Sequence, residues 1–252
     1  MKTNLKNKVL FIIPARSGSK RIKDKNLKKI GKNYMIELKI KACLKTSLGE
    51  VLVSSDSKKI SLIAKKFGAK TPFLRTKKFS SSKSTMMSCI LDTLSYLKFK
   101  KKKIPKYICL VPPTYPFLKS KSILNAYNKL VNQKKINSIC SINEPFNHPY
   151  EYILKNKKLT FNLLSYGKKK LSDFERTQDW PKSFVYSGAL RITKSDYYNK
   201  FINKNNPLIK AETFDKKNCI GQIISAREAF DINIKKDLYT ARLMIKNKLL
   251  LE

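Results

Sequence analysis

The sequence holds one histidine, one tryptophan and seven glycines, and it is poor in acid: 17 Asp and Glu stand against 55 Lys and Arg. With His148 as its sole imidazole, the chain is a poor candidate for a zinc enzyme or a Ser-His-Asp hydrolase. The five cysteines (Cys43, Cys89, Cys109, Cys140, Cys219) are scattered, none in a CxxC pair. Four of them sit in apolar stretches, so they read as reduced thiols of a cytosolic protein rather than a disulfide framework. No run approaches the roughly 18 to 20 apolar residues of a membrane span. The apolar stretch Val9–Pro14 is too short to span a bilayer and lacks a small-residue cleavage site, so neither a membrane segment nor a signal peptide is expected. The glycine spacings of a P-loop and of a dinucleotide fingerprint are absent too.

What is present supports a packed enzyme-sized domain. The chain has 252 residues, 42% of them hydrophobic, with 13 Phe and 12 Tyr. That is enough apolar material for a core, and it excludes low-hydrophobicity disorder. The net charge is +38. Such an excess first suggests nucleic acid. Its distribution argues otherwise. Lysines are spread through nearly every helix and turn, and arginine, the favoured bidentate reader of phosphate and guanine, is scarce beside them. No zinc-finger, RNP or helix-turn-helix signature occurs. The joint enrichment in Lys, Asn and Ile reads as compositional drift, and no nucleic-acid partner is expected.

Along the chain, Val9–Pro14 reads as a buried parallel strand. A Lys/Arg-crowded loop covers 15–26. Helical periodicity follows over 34–44, 57–67 (with Gly68 as C-cap), 84–97 and 120–131. Strands are expected at 51–54, 107–111 and 138–142. This alternation implies a parallel sheet covered on both faces, with ligands beyond the carboxyl ends of the strands. From 144 to 186 the rhythm breaks into a Pro-, Asn- and Tyr-rich excursion, with short strands possible at 152–154 and 159–163. Alternation returns with a strand at 189–193, a helix near 195–201, a strand at 219–224 and a final helix from 235 to 249.

The densest chemistry follows the first strand: Pro14-Ala15-Arg16-Ser17-Gly18-Ser19-Lys20-Arg21, then Lys25-Asn26. A short Gly/Ser loop carrying these cations suits a polyanion, because successive amides and charged side chains can share phosphate oxygens. Asp56, after the second strand, reads either as a site residue or as a cap for the helix starting at Ser57. His148 reads equally as a loop histidine.

The order of residues in that loop closely resembles the nucleotide-binding loop of the acylneuraminate cytidylyltransferases. Further segments resemble the same family in the same order. They are Val51-Leu52-Val53-Ser54-Ser55-Asp56, Phe73-Leu74-Arg75 with Thr85, Pro113-Thr114-Tyr115-Pro116-Phe117, and His148-Pro149. Next come Arg176-Thr177-Gln178-Asp179-Trp180-Pro181, Ser187-Gly188-Ala189, and Phe230-Asp231-Ile232-Asn233 with Asp237. The resemblance covers roughly residues 8 to 245. It implies an α/β three-layer sandwich with a mostly parallel Rossmann-like sheet of the nucleotide-diphosphosugar transferase type. It implies one domain over 1–252, with a lobe at 144–186 that makes a homodimer contact.

The activity it implies is cytidylyl transfer: the anomeric hydroxyl of an acidic nine-carbon sugar attacks the α-phosphate of CTP, and pyrophosphate leaves. In the family's pattern Arg16 and Lys20 hold phosphates, and Ser19, Asn26 and Arg75 contact phosphate or nucleotide. Ala15 and Arg16 backbone groups, with Thr85, help read cytosine. Gln178, Ser187 and Gly188 face the sugar acid. Asp231 holds Mg2+ (or Mn2+), and the family's second metal aspartate is Asn233 here, a weaker ligand for a hard cation. Asp237 is then structural. The family's aspartate near Ser82 is missing, Pro112 stands where some members have Gln, Ser187 where many have Asn, and Glu151 replaces a Lys that some members place after the His-Pro step. These departures fall mostly on the sugar side and point to a relative of sialic acid, such as a legionaminic- or pseudaminic-type nonulosonate, or to another acidic sugar. The expected compartment is the cytoplasm. The alternatives are a nucleotidyltransferase of the same fold acting on another sugar such as Kdo, and a non-catalytic basic nucleic-acid-binding protein.

Overall fold

The computed structural model describes residues 8–81, 83–152, 171–202, 206 and 208–247. Strand β1 (Val9–Pro14) opens the chain, and its first five residues are buried, as a strand covered on both faces requires. A two-residue hairpin, β2 (Lys29–Ile30) and β3 (Asn33–Tyr34), leads into α1 (Met35–Leu44). Next come β4 (Gly49–Ser54), α2 (Lys58–Lys66), α3 (Lys77–Ser80), α4 (Met86–Phe99) and β5 (Tyr107–Leu110). The remainder is α5 (Ser120–Val131), β6 (Ser138–Asn143), β7 (Val185–Lys194), α6 (Asn199–Ile202), β8 (Cys219–Ile223) and α7 (Lys235–Lys246).

Helices α2 and α4 start a residue or two inside the sequence boundaries because the first polar residue is spent as a cap. The Ser57 side chain accepts from the Ile60 amide at 3.3 Å, and the Thr85 side chain accepts from the Ser88 amide at 3.1 Å. Past α2, Gly68 adopts φ +89, the left-handed region that glycine enters freely. The helix expected over 195–201 divides into a 3-10 turn, Ser195–Tyr198, and the short α6.

The strands form one six-stranded sheet in the order β4-β1-β5-β7-β6-β8. Strand β1 pairs in parallel with β4 and β5, and β6 pairs in parallel with β8. Strand β7 is antiparallel to both β5 and β6. It is longer than the expected 189–193 and fills the gap between them. The excursion leaves from the carboxyl end of β6 and re-enters at that same end beside it, so the return needs no crossover helix and must run backwards. Helices α1, α2 and α5 cover one face through Ile36, Ile40, Ile60, Ile123 and Leu130. Helix α4 and the 195–202 segment cover the other, through Met87, Ile90, Leu94 and Tyr198. The architecture is therefore the expected three-layer α/β sandwich.

The two short strands expected in the excursion fall mainly at 153–170, outside the described residues. The flanks pack on each other through His148, Tyr150, Phe174 and Trp180, with ring centroids 4.8–6.2 Å apart. His148 Nδ1 accepts from the Tyr150 amide at 3.3 Å, which leaves Nε2–H to donate to the Pro181 carbonyl at 2.9 Å. His148 is thus a clamp across the base of the lobe. All five cysteines are free; Cys219 alone is only half-buried.

Candidate active site

The carboxyl ends of the parallel strands open onto a cleft of about 560 Å³. Pro14, Arg16, Ser19, Lys20, Arg21, Lys25 and Asn26 line it from the first loop, with Arg75, Thr85, Thr114 and Asn233 opposite. Most of the nucleotide-site residues named from sequence therefore meet in one place. The fully buried Ala15 lies at its root, where its amide donates to the Ser54 carbonyl at 2.9 Å.

The loop is held from outside itself. Asp56 accepts from the Ser17 amide at 2.7 Å and from the Ser17 hydroxyl at 2.8 Å. Its role is to staple the loop, since Ser57 already caps α2. The buried Asn26 donates from Nδ2 to the Arg16 carbonyl at 3.0 Å, closing the loop on itself. Arg16 reaches the Ser81 carbonyl at 2.9 Å. Lys20 and Arg21 are exposed. No acid is within ion-pair distance of either among the described residues, so their charge stays available to an anion. A Cβ at Gly18 would meet nothing within 4 Å, so the protein's own packing makes no demand for glycine there.

Arg75 sits differently from a simple phosphate contact. It is 6% exposed, its Nε donates to Ser54 Oγ at 3.0 Å, and its Nη2 donates to the Ser54 carbonyl at 2.9 Å and to Cys89 Sγ at 2.8 Å. Much of its guanidinium is therefore used to lace β4 to the first turns of α4. Thr85 likewise caps α4 and donates to the Ile209 carbonyl at 3.1 Å.

Beside the loop stands the turn ahead of α7. Asp237 accepts from the Asn233 and Ile234 amides at 2.7 and 2.9 Å, which fixes the turn. Asn233 Nδ2 donates to Asp231 Oδ2 at 2.8 Å. Asp231 Oδ1 is buried without a hydrogen-bond partner among the described residues. A buried carboxylate oxygen with no donor is costly unless a cation or proton supplies the missing interaction. Lys25 tethers loop to turn, its Nζ donating to the Ile232 carbonyl at 3.0 Å. Burial lowers the Lys25 pKa, and Asp231 partly offsets that.

Two contacts escaped sequence reasoning. Lys39 is fully buried in α1 and donates to the Tyr115 carbonyl at 2.6 Å. Desolvation lowers its pKa to about 8. Tyr115 in turn accepts from the Gly188 amide at 3.1 Å through its hydroxyl. Burial, with Asp231 as the next cause, pushes the phenol up to about 12. A buried lysine on a helix otherwise patterned for the core was the available signal. Ser187 is 4% exposed, and its hydroxyl accepts from the Ala189 amide at 3.3 Å. Gln178 is exposed on the lobe's 3-10 turn Thr177–Asp179 and does not line the cleft.

Comparison with known proteins agrees with this arrangement. The family described as Cytidylyltransferase matches residues 10–184. Pseudaminic acid cytidylyltransferase of Campylobacter jejuni subsp. jejuni serotype O:2 is 30% identical over 185 residues, 72% of this chain and 76% of that one. CMP-N,N'-diacetyllegionaminic acid synthase of Legionella pneumophila is 34% identical over 123 residues, 47% of this chain and 51% of that one. Among solved structures, CMP:2-keto-3-deoxy-manno-octonic acid synthetase complexed with CTP superposes with a TM-score of 0.64 at 13% identity, covering 96% of this chain and 100% of that one. That last likeness speaks for the fold alone. With 10–184 matched by the family and the loop, cleft and sheet as described, this chain belongs to the cytidylyltransferases.

Proposed function

We propose that the protein transfers CMP from CTP to the anomeric hydroxyl of a nonulosonic, sialic-acid-like sugar acid and releases pyrophosphate. The observation that carries this reading is the convergence of Arg16, Lys20, Arg21 and Lys25 on one cleft beside Asp231, in a chain of this family. The curated relatives named for pseudaminic and legionaminic acids supply the acceptor class.

The chemistry asks for charge neutralisation on a triphosphate, alignment of the acceptor hydroxyl with the α-phosphate, and a divalent ion. Lys20 and Arg21, without protein counter-ions, fit the first role. Asn26 and Asp56 keep the loop amides in place. Mg2+ (or Mn2+) fits Asp231, whose Oδ1 lacks a donor, with Asn233 orienting the carboxylate through Oδ2. A bound ion would neutralise phosphate charge. Among the described residues no cluster of three acidic, cysteine or histidine side chains stands ready for a metal, so substrate phosphates would complete the shell. The fully exposed Phe146, and Gln178 lying outside the cleft lining, support a homodimer in which the lobe meets a second copy. A cytoplasmic setting fits the use of CTP.

The test is direct. The protein is incubated with CTP, Mg2+ and a panel of nonulosonic acids, and pyrophosphate is measured. Release with at least one of them, in preference to the same reaction with UTP or GTP, is the expected result. Silence across the whole panel removes the reading.

A further inference from the structure

Arg191 lies on β7, three residues past Gly188, and nothing in the phosphate cleft uses it. Its Nε donates to the Tyr186 hydroxyl, and its Cζ stands 5.4 Å from that ring's centroid. These contacts fix the guanidinium while leaving its Nη edge. The edge has a definite neighbour. A Cβ added at Gly188 would meet Tyr115 Oη at 2.7 Å and Arg191 Nη2 at 3.1 Å. The Tyr115 hydroxyl and the Arg191 guanidinium therefore converge over Gly188, at an approach that only glycine tolerates. The Tyr115 hydroxyl receives the Gly188 N–H at 3.1 Å and has the Asp231 carboxylate beside it as an acceptor for its own hydrogen, which ties this corner to the turn ahead of α7.

Arg191 is half-buried, and among the described residues no carboxylate lies within ion-pair distance of it. A partly desolvated guanidinium without a counter-ion is expensive unless an anion arrives to complete it. The triphosphate is already served by cations lining the cleft, and Arg191 is not one of them. The reaction proposed above brings a second anion, the acceptor's carboxylate. In a 2-keto sugar acid that carboxylate is bonded to the anomeric carbon whose hydroxyl attacks. Gripping it therefore fixes the nucleophile, and a planar guanidinium edge matches a carboxylate bidentately.

We infer that Arg191, held beside Gly188 and the Tyr115 hydroxyl, binds the carboxylate of the sugar-acid acceptor and orients its anomeric hydroxyl. The inference rests on the proposed function. Its test varies CTP and acceptor separately for the wild type, Arg191→Gln, Arg191→Lys and Tyr115→Phe, using the acid and its carboxamide. For Arg191→Gln the acceptor KM rises about tenfold or more, the KM for CTP stays within about twofold, and the preference for acid over amide collapses. Arg191→Lys retains part of that preference, and Tyr115→Phe loses a smaller share. A role confined to packing would shift both KM values and the melting temperature while leaving the preference intact. An unchanged preference in Arg191→Gln, or a rise confined to CTP, overturns this assignment alone. A wild type that turns over no sugar acid overturns the proposed function and this inference with it.

Discussion

The two sides of the site are built by different means. The phosphate side is a continuous loop, 15–26, closed by Asn26 on Arg16 and stapled by Asp56 on Ser17. The proposed acceptor side is assembled from three distant pieces: Lys39 on α1, Tyr115 after β5, and Gly188 with Arg191 on β7. A loop can carry its chemistry in the order of its residues. A site made of separate elements carries it in packing, so its parts look ordinary one by one. The phosphate side should accordingly fail sharply and locally, and the acceptor side should fail through shape and position.

The largest effect expected from breaking the comparison is on the phosphate side. Lys20 is exposed and has no acidic partner, so Lys20→Ala should leave the melting temperature within about 1 °C, as for a surface change. It should nonetheless lower kcat/KM by about 10² to 10³, the usual scale for losing one charge-stabilising group; steady-state pyrophosphate release beside a thermal melt checks both. Asp231→Asn comes next. Turnover should fall by a similar factor, and the concentration of Mg2+ giving half-maximal rate should rise, as read from a metal titration of the two proteins. Chelation of the metal in the wild type should silence it.

Gly188→Ala probes the other side. Its Cβ would lie 2.7 Å from Tyr115 Oη, so the variant should lose about 1–3 kcal/mol of stability by overpacking, measured by denaturant unfolding. The acceptor KM should rise while that for CTP holds. Asp56→Ala is milder: the loop loses two bonds at a part-exposed position, and the KM for CTP should rise a few-fold with about 1 kcal/mol of stability lost.

The smallest effect is a pH signature. Lys39 is held near a pKa of 8 in the fold against an ordinary value of 10.5. Between those values the unfolded chain binds the extra proton, so stability rises with pH across that window; below about 8 the full penalty of the buried charge is present. Lys39→Met should flatten that rise in unfolding measurements taken from neutral to alkaline pH. It should also weaken acceptor binding, because the Tyr115 carbonyl loses its tether.

Much of the fold was legible. Apolar β-branched runs gave β1, β4, β5 and β6, and helical periodicity gave α1, α2, α4 and α5, because each has a single buried face or is buried throughout. The direction of β7 was not, since a strand's sequence does not state which neighbour it joins. The phosphate loop was legible as a unit. Arg75 lines the cleft as expected, but its bonds to Ser54 and Cys89 were not legible, because those partners are far away in sequence and nothing local shows the guanidinium turning inward. Arg191 and Tyr115 went unassigned for the same reason: their approach over Gly188 exists only when β7 lies beside the turn after β5. The net charge of +38 resolves in the same way. A handful of cations face the cleft, while most of the other lysines face solvent.

The central claim is that this cleft joins CMP to a sugar acid. Mass spectrometry of a reaction containing the protein, CTP, Mg2+ and a pseudaminic- or legionaminic-type acid tests it most directly. The account predicts a CMP-sugar product formed in step with pyrophosphate, lost in Lys20→Ala. Hydrolysis of CTP without that adduct, or no consumption of CTP with any nonulosonic acid, would contradict it.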